Sequence, residues 1–463
     1  MATSTDPART VDAEAASGKA ASPAELGLVW LNGPLGSAPL SLPWHVADEL
    51  IVGRDAECAI HLANTDVSRR HAALSRNANE PGIGITDLDS RNGTRVNGHA
   101  VRSARLQAND VLRIGGCVFV VTEGAEPFSE LAPGLLGGGV LQRALAPLQR
   151  AAQSELSIVL EGETGTGKEV VTRAIHAWSG RAGKLVAINC AALPQGLAEG
   201  ELFGYRRGAF TGAERASLGF FRSATGGTLL LDEVSDLPLV LQAKLLRALE
   251  QKEVQPLGEP SPVPVDVRVV VAAQGSLFEA VKKQEFRADL LARLSGLSLR
   301  LPPLRQRRED VLPLFLRFMQ ELRPTSAPEL EPDFVERLAL HDWPFNVREL
   351  LQLARRLAVL QGTEAVLRVQ HLPPELSERP VPSASDRASA SRPASAAPLE
   401  AGALPEPAQA VGLARLMDAL RATGGNVTRA ASQLGITRQR AYRMLEEQSV
   451  DLSALSGRRR PKR

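Results

Sequence analysis

An apolar run, Ser157-Ile158-Val159-Leu160-Glu161, leads directly into Gly162-Glu163-Thr164-Gly165-Thr166-Gly167-Lys168, and that loop leads into an amphipathic stretch reaching about Trp178. Strand, glycine-rich loop and helix in this order define a phosphate cradle. Small residues let successive backbone N–H groups converge on an anion, the helix N-terminus adds its dipole, and Lys168 reaches the β- and γ-phosphates. Glu169 stands where Ser or Thr usually binds magnesium. Further along, Gly226-Gly227-Thr228-Leu229-Leu230-Leu231 ends in Asp232-Glu233. Asp232 is suited to hold Mg2+ through its water shell, and Glu233 to polarise the attacking water. Together they predict a nucleoside triphosphatase with ATP and Mg2+ as its ligands. Strand-like runs at 157–160, 186–188, 228–231 and 267–272 alternate with helix-length stretches, the pattern of a three-layer α/β domain; beyond about Arg308 the pattern turns wholly helical.

Composition divides the rest of the chain. Residues 377–408 are rich in Ser, Ala and Pro with almost no large apolar side chain. They cannot offset the entropy of ordering and read as a disordered linker. Residues 1–25 lack the apolar centre of a secretory signal and read as a disordered leader. Residues 123–134, containing prolines and followed by Gly137-Gly138-Gly139, read as a shorter linker. The folded candidates are 26–122, 135–376 and 409–449, with a basic tail over 450–463. The first reads as a β-sandwich, with Leu28-Val29-Trp30-Leu31, Ile83-Gly84-Ile85-Thr86 and Val118-Phe119-Val120-Val121 separated by Gly, Asn and Asp turns. The last reads as three short helices.

Cys58, Cys117 and Cys190 are far apart, which argues against a disulfide framework or zinc site and for a reducing cytoplasm. No apolar run approaches the roughly 18 residues that cross a bilayer, so no membrane association is expected. The net charge of +2 conceals an uneven distribution: over 411–463, eleven basic residues against four acidic ones give about +7, leaving about −5 on the remainder. A basic end on a slightly acidic body predicts a nucleic-acid module.

The segment 161–353 resembles the AAA+ domain of sigma-54-dependent transcriptional activators, the bacterial enhancer-binding proteins. The resemblance is carried by the phosphate-loop sequence, Glu169 included, and by Gly208-Ala209-Phe210-Thr211-Gly212-Ala213 preceded by Glu201-Leu202-Phe203-Gly204. In that family the hexapeptide loop rises from a hexameric ring and touches sigma-54, which implies Phe210 and Thr211 as the contacts. The resemblance further implies that Asn189 couples Glu233 to nucleotide state and that Arg287 and Arg293 are arginine fingers reaching a neighbouring subunit's ATP. It makes Arg348 the lid-domain sensor of the γ-phosphate. Fingers acting between subunits require a ring with sites at its interfaces. The sequence departs from the family in three places. Ala272-Ala273-Gln274 replaces the usual Ala-Thr-Asn, so Gln274 offers its amide to the nucleotide from one methylene further out and Ala273 lacks a hydroxyl. Phe345 replaces the glycine before Asn346, and Arg206 sits where an acid is common. None removes a catalytic group, but Ala273-Gln274 bears on how hydrolysis is sensed.

Residues 26–122 resemble a forkhead-associated (FHA) domain through Gly53-Arg54, Ser68-Arg69-Arg70-His71, Asn92-Gly93-Thr94 and Asn97-Gly98. An arginine fork with a hydroxyl holds a dianion well. The resemblance implies Arg54 and Ser68 as phosphate ligands, Arg69 as added charge facing the peptide, and Asn92 as a clamp on the peptide backbone. His71 and Asn97 are expected to brace the loops.

The C-terminal candidate places helices over 413–421, 427–434 and 437–446, with Thr437 as an N-cap for the third. Residues 425–436 resemble the Fis-type helix-turn-helix that ends sigma-54 activators, which implies a dimeric module. Arg438, Gln439, Arg440 and Arg443 project from the recognition helix and are types that read guanine and adenine edges.

The sequence thus predicts a multidomain regulator: a β-sandwich (FHA), an α/β AAA+ P-loop NTPase with a helical lid, and an all-α helix-turn-helix. The expected function is that of a cytoplasmic ATPase ring, assembling from dimer to hexamer. It would bind enhancer DNA and remodel sigma-54 RNA polymerase holoenzyme to open promoters, gated by a phosphothreonine protein or its Ser/Thr kinase. Two alternatives stay open: a DNA-binding FHA regulator or scaffold that binds ATP without productive hydrolysis, and an AAA+ chaperone acting on another substrate, which the intact hexapeptide opposes.

Overall fold

The computed structural model describes residues 26–377 apart from 34–39, 41, 45–47, 77–81, 125, 195, 325–327 and 363. The leader, the linker beyond Ser377 and the helix-turn-helix with Arg438, Gln439, Arg440 and Arg443 lie outside the described residues. The described residues form one compact unit. No helix among them is long and apolar enough to cross a membrane.

Ten strands come first: β1 (Leu26–Trp30), β2 (Glu49–Gly53), β3 (Ile60–His61), β4 (Ala72–Arg76), β5 (Ile83–Asp87), β6 (Thr94–Val96), β7 (His99–Val101), β8 (Ser103–Leu106), β9 (Val111–Ile114) and β10 (Cys117–Glu123). They make the expected sandwich of two five-stranded sheets, ordered β1-β10-β9-β6-β7 and β3-β2-β4-β5-β8. Successive side chains of a strand face opposite ways, and β10 uses both faces. Cys117, Phe119 and Val121 join the core between the sheets, whereas Val118 and Val120 enter a second core with helices near residue 334. That double burial explains why the run is continuously apolar instead of alternating.

The α/β domain follows. A hairpin of β11 (Ser129–Ala132) and β12 (Leu135–Gly137) precedes α1 (Gly139–Ala151), β13 (Ile158–Glu161), α2 (Lys168–Ser179) and β14 (Leu185–Asn189). Next come α3 (Ala198–Phe203), α4 (Gly219–Ser223), β15 (Thr228–Asp232), α5 (Leu239–Gln251) and the small hairpin β16 (Glu253–Val254) and β17 (Val263–Pro264). β18 (Arg268–Ala273), α6 (Leu277–Lys282), α7 (Ala288–Leu294) and β19 (Leu297–Arg300) complete it. The sheet order is β14-β15-β18-β13-β19 and every pairing is parallel. Its carboxyl ends therefore share one edge, where open α/β sheets bind ligands. The stretch 123–134 is not the expected linker. Ser129–Ala132 pairs with β12, and Ala132 and Leu135 are buried against Leu141 and Leu145 of α1, because these apolar side chains have a core to enter.

The lid comprises α8 (Val311–Leu322), β20 (Glu329–Leu330), α9 (Pro332–Leu340), α10 (Asn346–Leu360), β21 (Val366–Leu367) and α11 (Pro374–Ser377). It is not wholly helical, since β20 and β21 pair in parallel. Helix α9 packs across β9 and β10, and Phe334, Val335, Leu338 and Ala339 share a core with Val111, Val118 and Val120. Ion pairs ring this contact. Arg113 on β9 binds both Asp333 and Glu336, and Arg95 lies 3.5 Å from Glu336.

Helix α1 is bracketed by charge. At its N-terminus the buried Asp310 accepts from Gly138 N (2.6 Å) and Glu309 from Val140 N (3.2 Å); at its C-terminus Arg268 donates to the carbonyls of Ala151 and Ala152. Both signs suit the helix dipole. Burial, with Asp310 alongside, pushes the Glu309 carboxyl up to about 7, and burial raises Asp310 as well. Folded Glu309 therefore binds its proton more readily than the unfolded chain, so its contribution to stability falls as pH rises from about 4.5 towards 7. His71 and His176, lowered by burial, act in the opposite sense. The quantity to read is the difference in melting temperature between wild type and Glu309→Gln across that window. The variant should gain on wild type as pH rises, and parallel profiles would remove the buried carboxyl as the cause.

Candidate nucleotide site and recognition loops

The phosphate loop spans the gap between β13 and α2 with Gly165 at φ 78° and Gly167 at φ 104°. Gly165 is required by contact as well as conformation, because a Cβ there would lie 2.2 Å from the Phe345 carbonyl of the lid. The loop closes through Thr166 Oγ1 donating to Glu163 O (2.8 Å). Lys168 is buried, donates to Gly162 O (2.9 Å) and lies 3.8 Å from the Glu233 carboxylate.

Asp232 ends β15 opposite Asn189 on β14. Glu233 follows in the left-handed region at φ 50°, a conformation costing a side-chain-bearing residue about 1 kcal/mol and concentrated at functional positions. Its Oε2 accepts from the backbone N of Gln274 (3.1 Å). The Gln274 side chain, expected at the nucleotide, is exposed, and the contact to Glu233 is made by its main chain. Asn189 does not bond Glu233: its Oδ1 accepts from Ala191 N (2.9 Å) and caps the turn after β14. Glu169 turns outward to Arg173 (2.6 Å). Among the described residues no group of three or more His, Cys, Asp or Glu side chains could hold a metal. Magnesium in such sites is bound by one or two carboxylates and the nucleotide's phosphates. Asp232, with Oδ2 free of hydrogen bonds among the described residues, fits that mode.

The lid reaches the loop through residues the sequence reading missed. Buried Asn346 donates to Thr164 O (3.0 Å) and Glu163 Oε2 (3.3 Å) while accepting from Leu304 N (2.7 Å). Arg305 grips Glu163 bidentately (2.6 and 2.7 Å) and holds its carboxyl below the usual range. Arg307 donates to Thr166 O and to Asp310 (both 3.1 Å). The charge run from Arg305 to Asp310 was the available signal. Arg348 is exposed on the first turn of α10, its Cβ beside Gly165. Arg287 pairs with its neighbour Asp289, and Arg293 donates to Leu249 O. Neither bonds the phosphate loop of its own chain.

The hexapeptide lies between α3 and α4. Gly208 N donates to Ala213 O (2.8 Å) and Ala213 N to Phe210 O (3.0 Å), a tight turn that needs Gly212 at φ 98°. Thr211 and Gly212 are exposed. Phe210 is half-buried, unlike the exposed tip expected, because its ring leans edge-on against Tyr205 with centroids 5.0 Å apart.

In the sandwich, Arg54 N donates to Ser68 O (2.9 Å) and Arg91 N to Ser68 Oγ (3.0 Å), which brings the three expected peptide-facing loops together. Arg54, Arg69 and Asn92 are exposed, and Asn92 donates to Asp66 O. Arg91, also exposed beside Asn92, adds a charge the sequence reading did not select. His71 is fully buried, accepting from Ser68 N at Nδ1 and donating to Gly93 O at Nε2 (both 3.1 Å). Burial lowers its pKa, so it braces the loops as the neutral tautomer with hydrogen on Nε2. Asn97 braces likewise, bonding Asp110 and Val111 N.

Comparison with known proteins fits this geometry. Residues 138–300 match the family described as Sigma-54 interaction domain, 50–115 the FHA domain, 305–389 the AAA+ ATPase lid domain, and 413–446 the Fis family of bacterial regulatory proteins. The regulatory protein AtoC of Escherichia coli K12 is 40% identical over 306 residues, 65% of this chain and 64% of AtoC. HrpS, a pathogenicity-locus regulatory protein of Pseudomonas savastanoi pv. phaseolicola, is 49% identical over 209 residues, 44% of this chain and 69% of HrpS. The transcriptional regulatory protein ZraR of Salmonella typhi is 40% identical over 313 residues, 66% of this chain and 67% of ZraR. The chain belongs to the sigma-54-dependent transcriptional regulators. It spans 64% to 69% of the length of these three relatives.

Proposed function

We propose that this protein is a cytoplasmic ATPase that assembles from dimers into a hexameric ring, binds enhancer DNA, and remodels sigma-54 RNA polymerase holoenzyme to open promoters. Its gate is the FHA domain, whose Arg54, Ser68, Arg69 and Asn92 take a phosphothreonine-bearing protein or kinase. One observation carries the coupling of ATP to work. Helices α3 and α4, which bear the Phe210 loop, share a hydrophobic core with β14 and β15, which bear Asn189 and Asp232-Glu233: Ile188, Leu202, Phe203, Phe221, Leu229 and Leu231 pack together. A change at the phosphate end of those strands thus meets the loop through packed, nearly incompressible contacts.

Lys168 and the loop N–H groups bind the phosphates, Glu233 accepts a proton from water, and Arg348 reads the γ-phosphate. Arg287 and Arg293 serve the neighbouring subunit's site. Mg2+, when bound, supplies charge neutralisation at the phosphates, held through water by Asp232. Arg438, Gln439, Arg440 and Arg443 read DNA bases.

Phe210→Ala tests the loop. Sigma-54-dependent open-complex formation should fall at least about tenfold, the lower range for losing a central aromatic contact, while ATP turnover stays within about twofold. Wild-type activation by the variant would sink the assignment. A second reading, ATP binding without productive hydrolysis, is favoured by Asn189 and Glu233 spending their bonds on Ala191 N and Gln274 N; turnover measurements separate the two.

A further inference from the structure

The turn between β8 and β9 carries Asn109 at φ 72°, half-buried and anchored to its own domain by Asn109 N donating to Val121 O (2.7 Å). Its other groups leave the sandwich. Nδ2 donates to Arg305 O (2.7 Å), Oδ1 accepts from Arg308 N (3.1 Å), and its carbonyl accepts from the Arg308 guanidinium (3.2 Å). One asparagine thus fixes both ends of the segment 305–308. That segment holds the phosphate loop at two points, Arg305 on Glu163 and Arg307 on Thr166 O. Asn346, which accepts from Leu304 N, takes Thr164 O as a third.

We infer that Asn109 of the sandwich domain is a positioning residue for the ATP-binding loop, acting through Arg305 and Arg307. It touches no nucleotide group itself. It fixes the backbone from which two guanidiniums set the pose of Glu163 and Thr166, and so the pose of the N–H groups that meet the phosphates. The same turn is tied to the peptide-reading side of its domain. Asp110 accepts from Asn97 Nδ2 (2.7 Å), and Arg113, two residues past Val111, donates to Gly115 O (2.9 Å), whose own N–H donates to Gly93 O beside Asn92. A ligand that shifts the Asn92 loop therefore meets a continuous set of bonds leading to the phosphate loop. By linkage, whatever factor it exerts on ATP affinity, ATP exerts on its own.

The inference rests on the ATP-site reading above, and the test separates them. Asn109→Gly removes both side-chain bonds while tolerating the left-handed backbone. In the full chain, binding of a non-hydrolysable ATP analogue and steady-state ATP turnover would be measured for wild type and variant. Binding of a phosphothreonine peptide serves as the check on the fold of the sandwich. The expected result is a threefold to tenfold rise in both the analogue Kd and the ATP KM, on the order of one lost hydrogen bond, with kcat within about twofold and peptide affinity unchanged. That split is what a general loss of structure does not produce. Analogue Kd and KM equal to wild type would overturn the inference alone, and a wild type that binds no analogue would overturn it together with the ATP site. Should Asn109→Gly not fold, Arg308→Gln, which loosens the same grip from the other side, carries the same expectations.

Discussion

Glu233→Gln is expected to lower steady-state ATP turnover by at least about 10²-fold while leaving ATP affinity within about threefold. Removal of a positioned general base costs about 10² to 10⁴ in rate, and every other contact to the nucleotide survives the substitution. The amide keeps the shape of the side chain and an oxygen for the Gln274 N–H, so the left-handed backbone at residue 233 has no reason to relax. Lys168, 3.8 Å away, loses an opposing charge but keeps its bond to Gly162 O. The measurement is phosphate release against protein concentration. Under the proposed ring, in which Arg287 and Arg293 serve a neighbouring site, wild-type turnover should rise cooperatively; within their own chain they bond Asp289 and Leu249 O, not the phosphate loop. Equal rates in both proteins at a high level would displace Glu233 as the base. Equal rates at the level of the blank would select the reading in which ATP is bound but not productively hydrolysed.

Phe334→Ala is expected to destabilise the sandwich and lid together by about 3–5 kcal/mol, the range for truncating a buried phenylalanine. Phe334 is fully buried on α9, with its ring 5.8 Å from that of Phe315, in the core that also takes Val111, Val118 and Val120 from β9 and β10. A cavity there borders both domains. Chemical denaturation should therefore show the two losing stability in one transition, reported by Trp30 in the sandwich and Trp343 in the lid. A loss under about 1 kcal/mol, or a lid transition that moves while the sandwich's stays put, would show that the shared core is only surface contact.

The parts of this chain legible in the sequence are those whose chemistry is local. The phosphate loop, Asp232-Glu233 and the strands of both folded regions announce themselves within a few residues. The motifs also mark Arg54, Ser68 and Asn92, whose loops the fold brings together. What escaped depends on partners far away along the chain. Asn109 bonds Arg305 and Arg308, and Arg305 bonds Glu163, with no periodicity to mark any of them. Val118 and Val120 read correctly as strand, but nothing local says that their outward face is covered by α9. Asn189 and Gln274 show a different limit. Their residue types suggest side-chain chemistry at the nucleotide, whereas the structure gives Asn189 to a turn and uses the main chain of Gln274. The small neighbours of Phe210 suggest a bare loop tip, whereas Tyr205, five residues earlier, supplies the ring it leans on.

The single core beneath β10 and α9 also limits what surgery on the gene can teach. Cutting away residues 26–122 would strip the cover from Phe334, Val335 and Leu338 and leave Asp333 and Glu336 without Arg113, so the remaining fragment would present a bare greasy face to water. A shortened protein that clumps or falls silent would be reporting that exposed face, not the lifting or imposing of control. Point changes at Arg54 or Asn109, which leave the cover in place, are the cleaner instruments for asking what the FHA domain does to the nucleotide site.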